Sequence, residues 1–94
     1  MKNAAKDLIR YALSRGNTVS VYDGEEWAVK RSMTYKEIIG AIASVDDAQI
    51  RIRDQNSAVV AWARVSLFGL APDETIIDCS DNAYMKEFDK TITA

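Results

Sequence analysis

The chain has 94 residues, with 12 Lys+Arg against 14 Asp+Glu, one Cys and no His. That length allows one small domain, and 48% hydrophobic with 28% charged residues is too apolar for disorder. The missing His removes the usual general base, pH switch and zinc ligand, and a net charge of −2 argues against a protein whose main task is neutralising phosphates.

The first residues, Met1-Lys2-Asn3-Ala4-Ala5-Lys6-Asp7, lack the apolar centre of a signal peptide. Residues 3–15 read as a helix, with Ala4, Leu8, Tyr11 and Ala12 on a broad apolar face, Asn3 as its cap and Gly16 as its stop. Thr18 to Tyr22 alternates as a strand does, Asp23-Gly24 turns, and Trp27 to Arg31 returns as a hairpin. A three-residue turn sets Trp27 opposite Val21. Val19, Val21, Trp27 and Val29 then face the core, and Ser20, Tyr22, Ala28 and Lys30 face away. Thr34 with Glu37 fits a capping box for a second helix over 35–45. Gln49 to Arg53 alternates cleanly, Asp54 to Ser57 turns, and 58–67 is a long returning strand. Gly69 to Glu74, with Pro72, breaks regular structure, and Thr75 to Cys79 is a short further strand. Ser80 or Asp81 caps a last helix over 82–92 that buries Tyr84, Met85, Phe88 and Ile92. No run reaches the ~18 apolar residues of a membrane span. The lone Cys79, beside Asp78 and Asp81, is expected as a half-buried apolar residue in a cytoplasmic protein without disulfides.

The chain repeats itself. Lys6-Asp7-Leu8-Ile9 matches Lys36-Glu37-Ile38-Ile39, Val19 to Asp23 matches Ile50 to Asp54, and Trp27-Ala28 matches Trp62-Ala63. Each unit reads helix–strand–strand. The expected fold is a single α+β domain over residues 1–94, a two-layer αββαββ(β)α arrangement with a four-stranded antiparallel sheet and its helices on one face.

Strand 58–67 fits either orientation. Its alanines favour Val59, Ala61, Ala63, Val65 and Leu67 inward, with Trp62 and Arg64 outward. The repeat, which matches Trp62 to the inward Trp27, favours the reverse. With Trp62 outward, the open face carries Tyr22, Lys30, Arg51, Arg53, Trp62 and Arg64. Trp, Tyr and Arg are the anchors of protein interfaces, and the same set holds single-stranded nucleic acid by stacking and phosphate contacts. A solvated face with cross-strand Arg–acid pairs is the third reading. The charge balance places nucleic acid last. A protein partner or a second copy of the chain, as in a homodimer, comes first. Residues 1–72 carry ten Lys/Arg and eight Asp/Glu, and 73–94 carry two and six. The acidic end is free to pack on a basic face of this chain or of a neighbour, or to stand as solvated surface, the commoner case.

Catalytic chemistry finds little support. There is no phosphate-binding glycine loop, no nucleophile elbow and no Cys/His metal spacing. The carboxylate pairs Glu25-Glu26, Asp46-Asp47 and Asp73-Glu74 fall in expected turns. No catalytic residue, cofactor or small-molecule ligand is indicated, and a non-enzymatic binding or adaptor domain is the expectation. The element order resembles that of the LAGLIDADG homing endonucleases in topology alone, since Leu13-Ser14-Arg15-Gly16 lacks that family's acidic helix-end motif. The segments Val19-Ser20-Val21-Tyr22-Asp23-Gly24-Glu25-Glu26-Trp27 and Ile50-Arg51-Ile52-Arg53-Asp54 resemble small uncharacterised accessory proteins of tailed phages and prophages. That resemblance implies a non-virion role, such as binding a host protein, and transfers no site residues.

Overall fold

Every alternating segment of the chain buries its apolar side on the same face of one antiparallel sheet. The computed structural model describes residues 4–45, 47–66, 76–80 and 82–93, and in the last helix side chains through Lys90. The elements are α1 (Ala4–Ser14), β1 (Thr18–Tyr22), β2 (Trp27–Ser32), α2 (Tyr35–Ala43), β3 (Ala48–Arg53), β4 (Val59–Val65), β5 (Ile76–Cys79) and α3 (Ala83–Thr93). The sheet runs β2-β1-β3-β4-β5. Among the described residues it has five strands where four were expected. The short strand at 76–79 joins the free edge of β4, pairing Ala63 with Cys79 and Arg64 with Asp78. That addition satisfies backbone groups that β4 would otherwise present as an open edge. Asn3 and the segment 69–74 lie outside the described residues.

The core face holds Val19, Val21, Val29, Ile50, Ile52, Ala61, Ala63 and Val65, all buried. Leu8, Ile9 and Ala12 of α1, Ile38 and Ile42 of α2, and Met85 and Phe88 of α3 pack against it. The alanines of β4 therefore do face the helices, and Cys79 is half-buried against the same cluster. The two hairpins join through β1 and β3, with Val19 opposite Ile52, Ser20 opposite Arg51 and Val21 opposite Ile50. Ser20 and Arg51 also correspond in the sequence repeat, so the pairing is symmetric about that point, as a local two-fold between the units requires. The tryptophans do not share this symmetry. Trp27 lies opposite Tyr22, whereas Trp62 lies opposite Arg51, the counterpart of Ser20.

The first hairpin departs from the expected register. Its turn has four residues, closed by the Asp23 N–H donating to the Glu26 carbonyl at 3.0 Å. The Asp23 carboxylate accepts the N–H groups of Glu25 and Glu26, both at 2.9 Å. Trp27 then pairs with Tyr22 and Val29 with Val21, so Ala28 is an extra residue between them. Trp27 is thereby moved out of the core layer and onto the open face. A second irregularity brings Ser32 opposite Val19. There Arg31 takes φ 49° and its N–H donates to the Ser20 hydroxyl at 2.9 Å. Two bulges thus let Val29 and Ser32 both turn inward while Lys30 and Arg31 stay exposed.

The helix ends show which caps operate. Gly16, at φ 77°, ends α1, with its N–H on the Leu13 carbonyl and the Asn17 N–H on the Ala12 carbonyl. That double closure is a Schellman motif. The Thr34 side chain makes no cap bond to α2. Instead the Thr34 N–H donates to the Ser32 hydroxyl at 3.0 Å, which uses the strand end to fix the helix start. Asn82, rather than Ser80, caps α3, and Asp81 lies outside the described residues. Its side-chain oxygen accepts the Met85 N–H at 3.2 Å and its amide donates to the Val60 carbonyl at 2.7 Å.

Helix α3 docks on α1, on the helical side of the domain. The Tyr84 hydroxyl donates to the Asn17 side chain at 2.8 Å, and Tyr11 meets Tyr84 edge-on at 5.3 Å. Arg15 lies over both rings and 3.6 Å from the Glu87 carboxylate. So Glu87 engages a helix arginine, not the arginines of the sheet. Desolvation, then the neighbouring Tyr11, pushes the Tyr84 hydroxyl up to about 12, against the pull of Arg15.

Two outcomes follow from this packing. Truncating Phe88, which is 1% exposed, to Ala is expected to cost about 3–5 kcal/mol in denaturant unfolding. A smaller loss would mean that α3 is not part of the core. For Tyr84, the folded state holds its proton more tightly than the unfolded chain, where the value is about 10. Its contribution is full below about 10 and lost as pH rises towards about 12. Alkaline unfolding curves of Tyr84→Phe should lack that decline.

Candidate binding face

The odd positions of β3 pair with the even positions of the opposing β1 and share their side of the sheet, so the open face is set by what the core rejects. Gln49, Arg51 and Arg53 alternate with the buried Ile50 and Ile52. Trp62 and Arg64 alternate with the buried Ala61, Ala63 and Val65. Ser20 and Tyr22 join them from β1, Trp27 and Lys30 from β2, and Asp78 from β5. A register shift in β4 makes Val60 the extra residue and sets Val59 opposite Arg53. All six residues singled out in the sequence, Tyr22, Lys30, Arg51, Arg53, Trp62 and Arg64, lie on this face.

Most of them are held by neighbours. The Tyr22 and Trp27 rings are 5.2 Å apart, and the Arg51 guanidinium lies 5.0 Å above Trp27. This arrangement is a cation over an aromatic face, which costs the cation little hydration and orders both groups. Arg64 Nε donates to the Asp47 carboxylate at 2.7 Å. That hydrogen bond, with the charge of Asp47 and a smaller effect from Asp78, raises the Arg64 pKa. Arg53 donates to the Ser57 carbonyl at 2.9 Å through one terminal nitrogen, while its Nε is buried without a partner. Trp62 is 40% exposed, a large apolar side chain facing solvent.

Three adjoining concavities cross the face. Ser20, Trp27, Lys30, Arg31 and Arg53 line the first, Tyr22, Trp27, Gln49 and Arg51 the second, and Gln49, Arg51 and Trp62 the third. Each shares a wall with the next, so they form one groove from β2 to β4. Trp27, Arg31, Gln49 and Asp47 were not among the residues picked from sequence. For Trp27 a signal existed. The adjacent cations Lys30-Arg31 cannot both obey alternation in a strand with one buried side, so a bulge had to lie nearby. The chemistry available here is recognition, through flat apolar rings bordered by fixed guanidinium groups.

The hairpin that carries Trp27 depends on Asp23. The backbone N–H of Glu26, and next that of Glu25, lowers its carboxyl pKa. A depressed carboxylate stabilises the fold above its unfolded value, and that stabilisation is lost as pH falls through the folded one. Asp23→Ala is therefore expected to lower the thermal midpoint at neutral pH, with the gap from the parent closing in acid. A gap independent of pH would show that the charge of Asp23 is not what holds the turn.

Comparison of the chain with protein-family models, with curated proteins and with solved structures gives no match.

Proposed function

We propose that this chain is a small non-enzymatic binding domain of the cytoplasm that works through protein–protein contact on its open sheet face. The resemblance to accessory proteins of tailed phages fits that role. One observation carries the reading: Tyr22, Trp27 and Trp62 lie along a single groove with Arg51 already laid across Trp27. Aromatic and arginine side chains supply most of the binding energy at protein interfaces. Side chains ordered beforehand lose less entropy when a partner arrives. Nucleic acid needs cations free to reach successive phosphates, whereas Arg64 is committed to Asp47, Arg51 to Trp27 and Arg53 to the Ser57 carbonyl.

The test compares the wild-type chain with Trp62→Ala as bait in extracts of cells that produce it. The exposed Trp62 should be replaceable without loss of fold, checked by circular dichroism. A captured protein, a second copy of the chain included, should be retained at least ~10-fold less by Trp62→Ala, the loss typical of an interface anchor. Equal capture by both would refute the proposal. So would steeply salt-dependent binding of a single-stranded oligonucleotide that Arg51→Ala weakens, which is the behaviour of the alternative, a nucleic-acid-binding face.

A further inference from the structure

The open face is electrically polarised along its strands. At the end where Thr18 meets Arg53, the first concavity is bordered by Lys30, Arg31 and Arg53. Asp54, next to Arg53 in the chain, points its carboxylate into its own turn, accepting the N–H groups of Asn56 and Ala58. Arg31 reaches this place through a backbone conformation, φ 49°, that residues other than glycine seldom adopt, and the Arg53 Nε beside it is buried without a partner. At the other end, where Tyr22 meets Gln49, stand the hairpin acids Asp23, Glu25 and Glu26, with Asp47 and Asp78 around Arg64. Four residues of strand separate the ends, roughly 13 Å. Between them runs a row in which Ser20 pairs with Arg51 and Arg51 with Trp62.

A partner of one charge sign matches half of such a face and is repelled by the rest. A polyanion seated on Lys30, Arg31 and Arg53 would run on towards the hairpin turn that carries the exposed Glu25 and Glu26. A partner with the same pattern reversed matches both ends at once, and another molecule of this chain has that pattern. We infer that the occupant of the open face is a second copy of this chain, packed face to face across a two-fold axis that lies in the plane of the sheet and runs across the strands. An axis along the strands would set like charges together, which costs binding. The axis across the strands reverses their direction. Lys30 and Arg31 then meet the hairpin acids of the second copy, its Lys30 and Arg31 meet Glu25 and Glu26 here, and Trp62 lies on the axis against its own equivalent while each Arg51 stays over the Trp27 ring of its own copy. These are the self-complementary contacts of an isologous dimer. The inference rests on the open-face reading above and names its partner. A five-stranded face of this length is small for a stable interface, so the dimer should dissociate on dilution.

Analytical ultracentrifugation of the full chain tests this across concentration and salt. A dimer is expected, with its dissociation constant rising at least ~10-fold from low to high salt. Lys30→Glu with Arg31→Glu should weaken it ~10-fold or more, as should Glu25→Lys with Glu26→Lys. All four changes together should restore it, because each end then meets its opposite again. A dimer indifferent to salt, or pairs of reversals whose effects add instead of cancelling, would overturn the inference. If a reversed variant unfolds, the milder Lys30→Gln with Arg31→Gln and the salt series of the wild type decide it in the same sense. A wild-type chain that is monomeric at every concentration also overturns it. The capture experiment with Trp62→Ala is unaffected by that result and still judges the open-face reading on its own.

Discussion

Burial of one side of the sheet, and only one, is the constraint from which the rest of this protein follows. Three helices cover the face that holds Val19, Val21, Ile50 and Ile52. Since strand side chains alternate, every residue filling that core fixes a neighbour on the opposite surface. Ile50 and Ile52 thus determine where Arg51 stands, and Ala61 and Ala63 determine where Trp62 stands. The small alanines have a second effect. They let α3 approach β4 closely enough for Phe88 and Met85 to be buried. The core and the open face are two consequences of one pattern.

Where the pattern is strict, the sequence was easy to read. Gln49 to Arg53 alternates without interruption, and its strand, its faces and the outward direction of Arg51 and Arg53 follow directly. The edge hairpin was not legible in the same way. A period of two carries no information about where it is broken, and Trp27 was assigned inward because unbroken alternation would place it there. The break comes from the Asp23 carboxylate, which binds two backbone N–H groups and so favours a four-residue turn. It comes also from the Ser20 hydroxyl, which accepts the Arg31 N–H and stabilises the second bulge. Such hydrogen bonds from short polar side chains to the backbone compete with regular ladders. They depend on geometry between elements, and that was not available from spacing alone. The cap of α2 failed for the same reason, since Ser32 at the end of β2 reaches the Thr34 N–H.

An exposed aromatic face on a small domain carries a hazard, because large apolar patches promote indiscriminate association. Here the fold limits that hazard while keeping the face usable. The Arg51 guanidinium covers the Trp27 ring with charge, and Arg64, two residues along β4 from the exposed Trp62, is paired with Asp47. Exposed ion pairs of this kind add little stability. On the proposed reading their effect is on selectivity, since a partner would have to offer groups that replace or match these charges.

That point changes the meaning of the net charge of −2. Summed along the chain, the charges separate into a mildly basic stretch and an acidic C-terminal stretch. Folded, they separate differently. Glu87 is used between α3 and α1, on the side away from the sheet arginines. Acids distant in sequence, at 23, 25, 26, 47 and 78, collect at one end of the strands, while Lys30, Arg31 and Arg53 collect at the other. Antiparallel pairing produces this gathering, because it brings the turn of one hairpin beside the start of the next strand pair. A near-neutral total therefore coexists with a strongly ordered field across one surface. In the dimer we propose, that field would select the partner by its direction, and its direction is a property of the register.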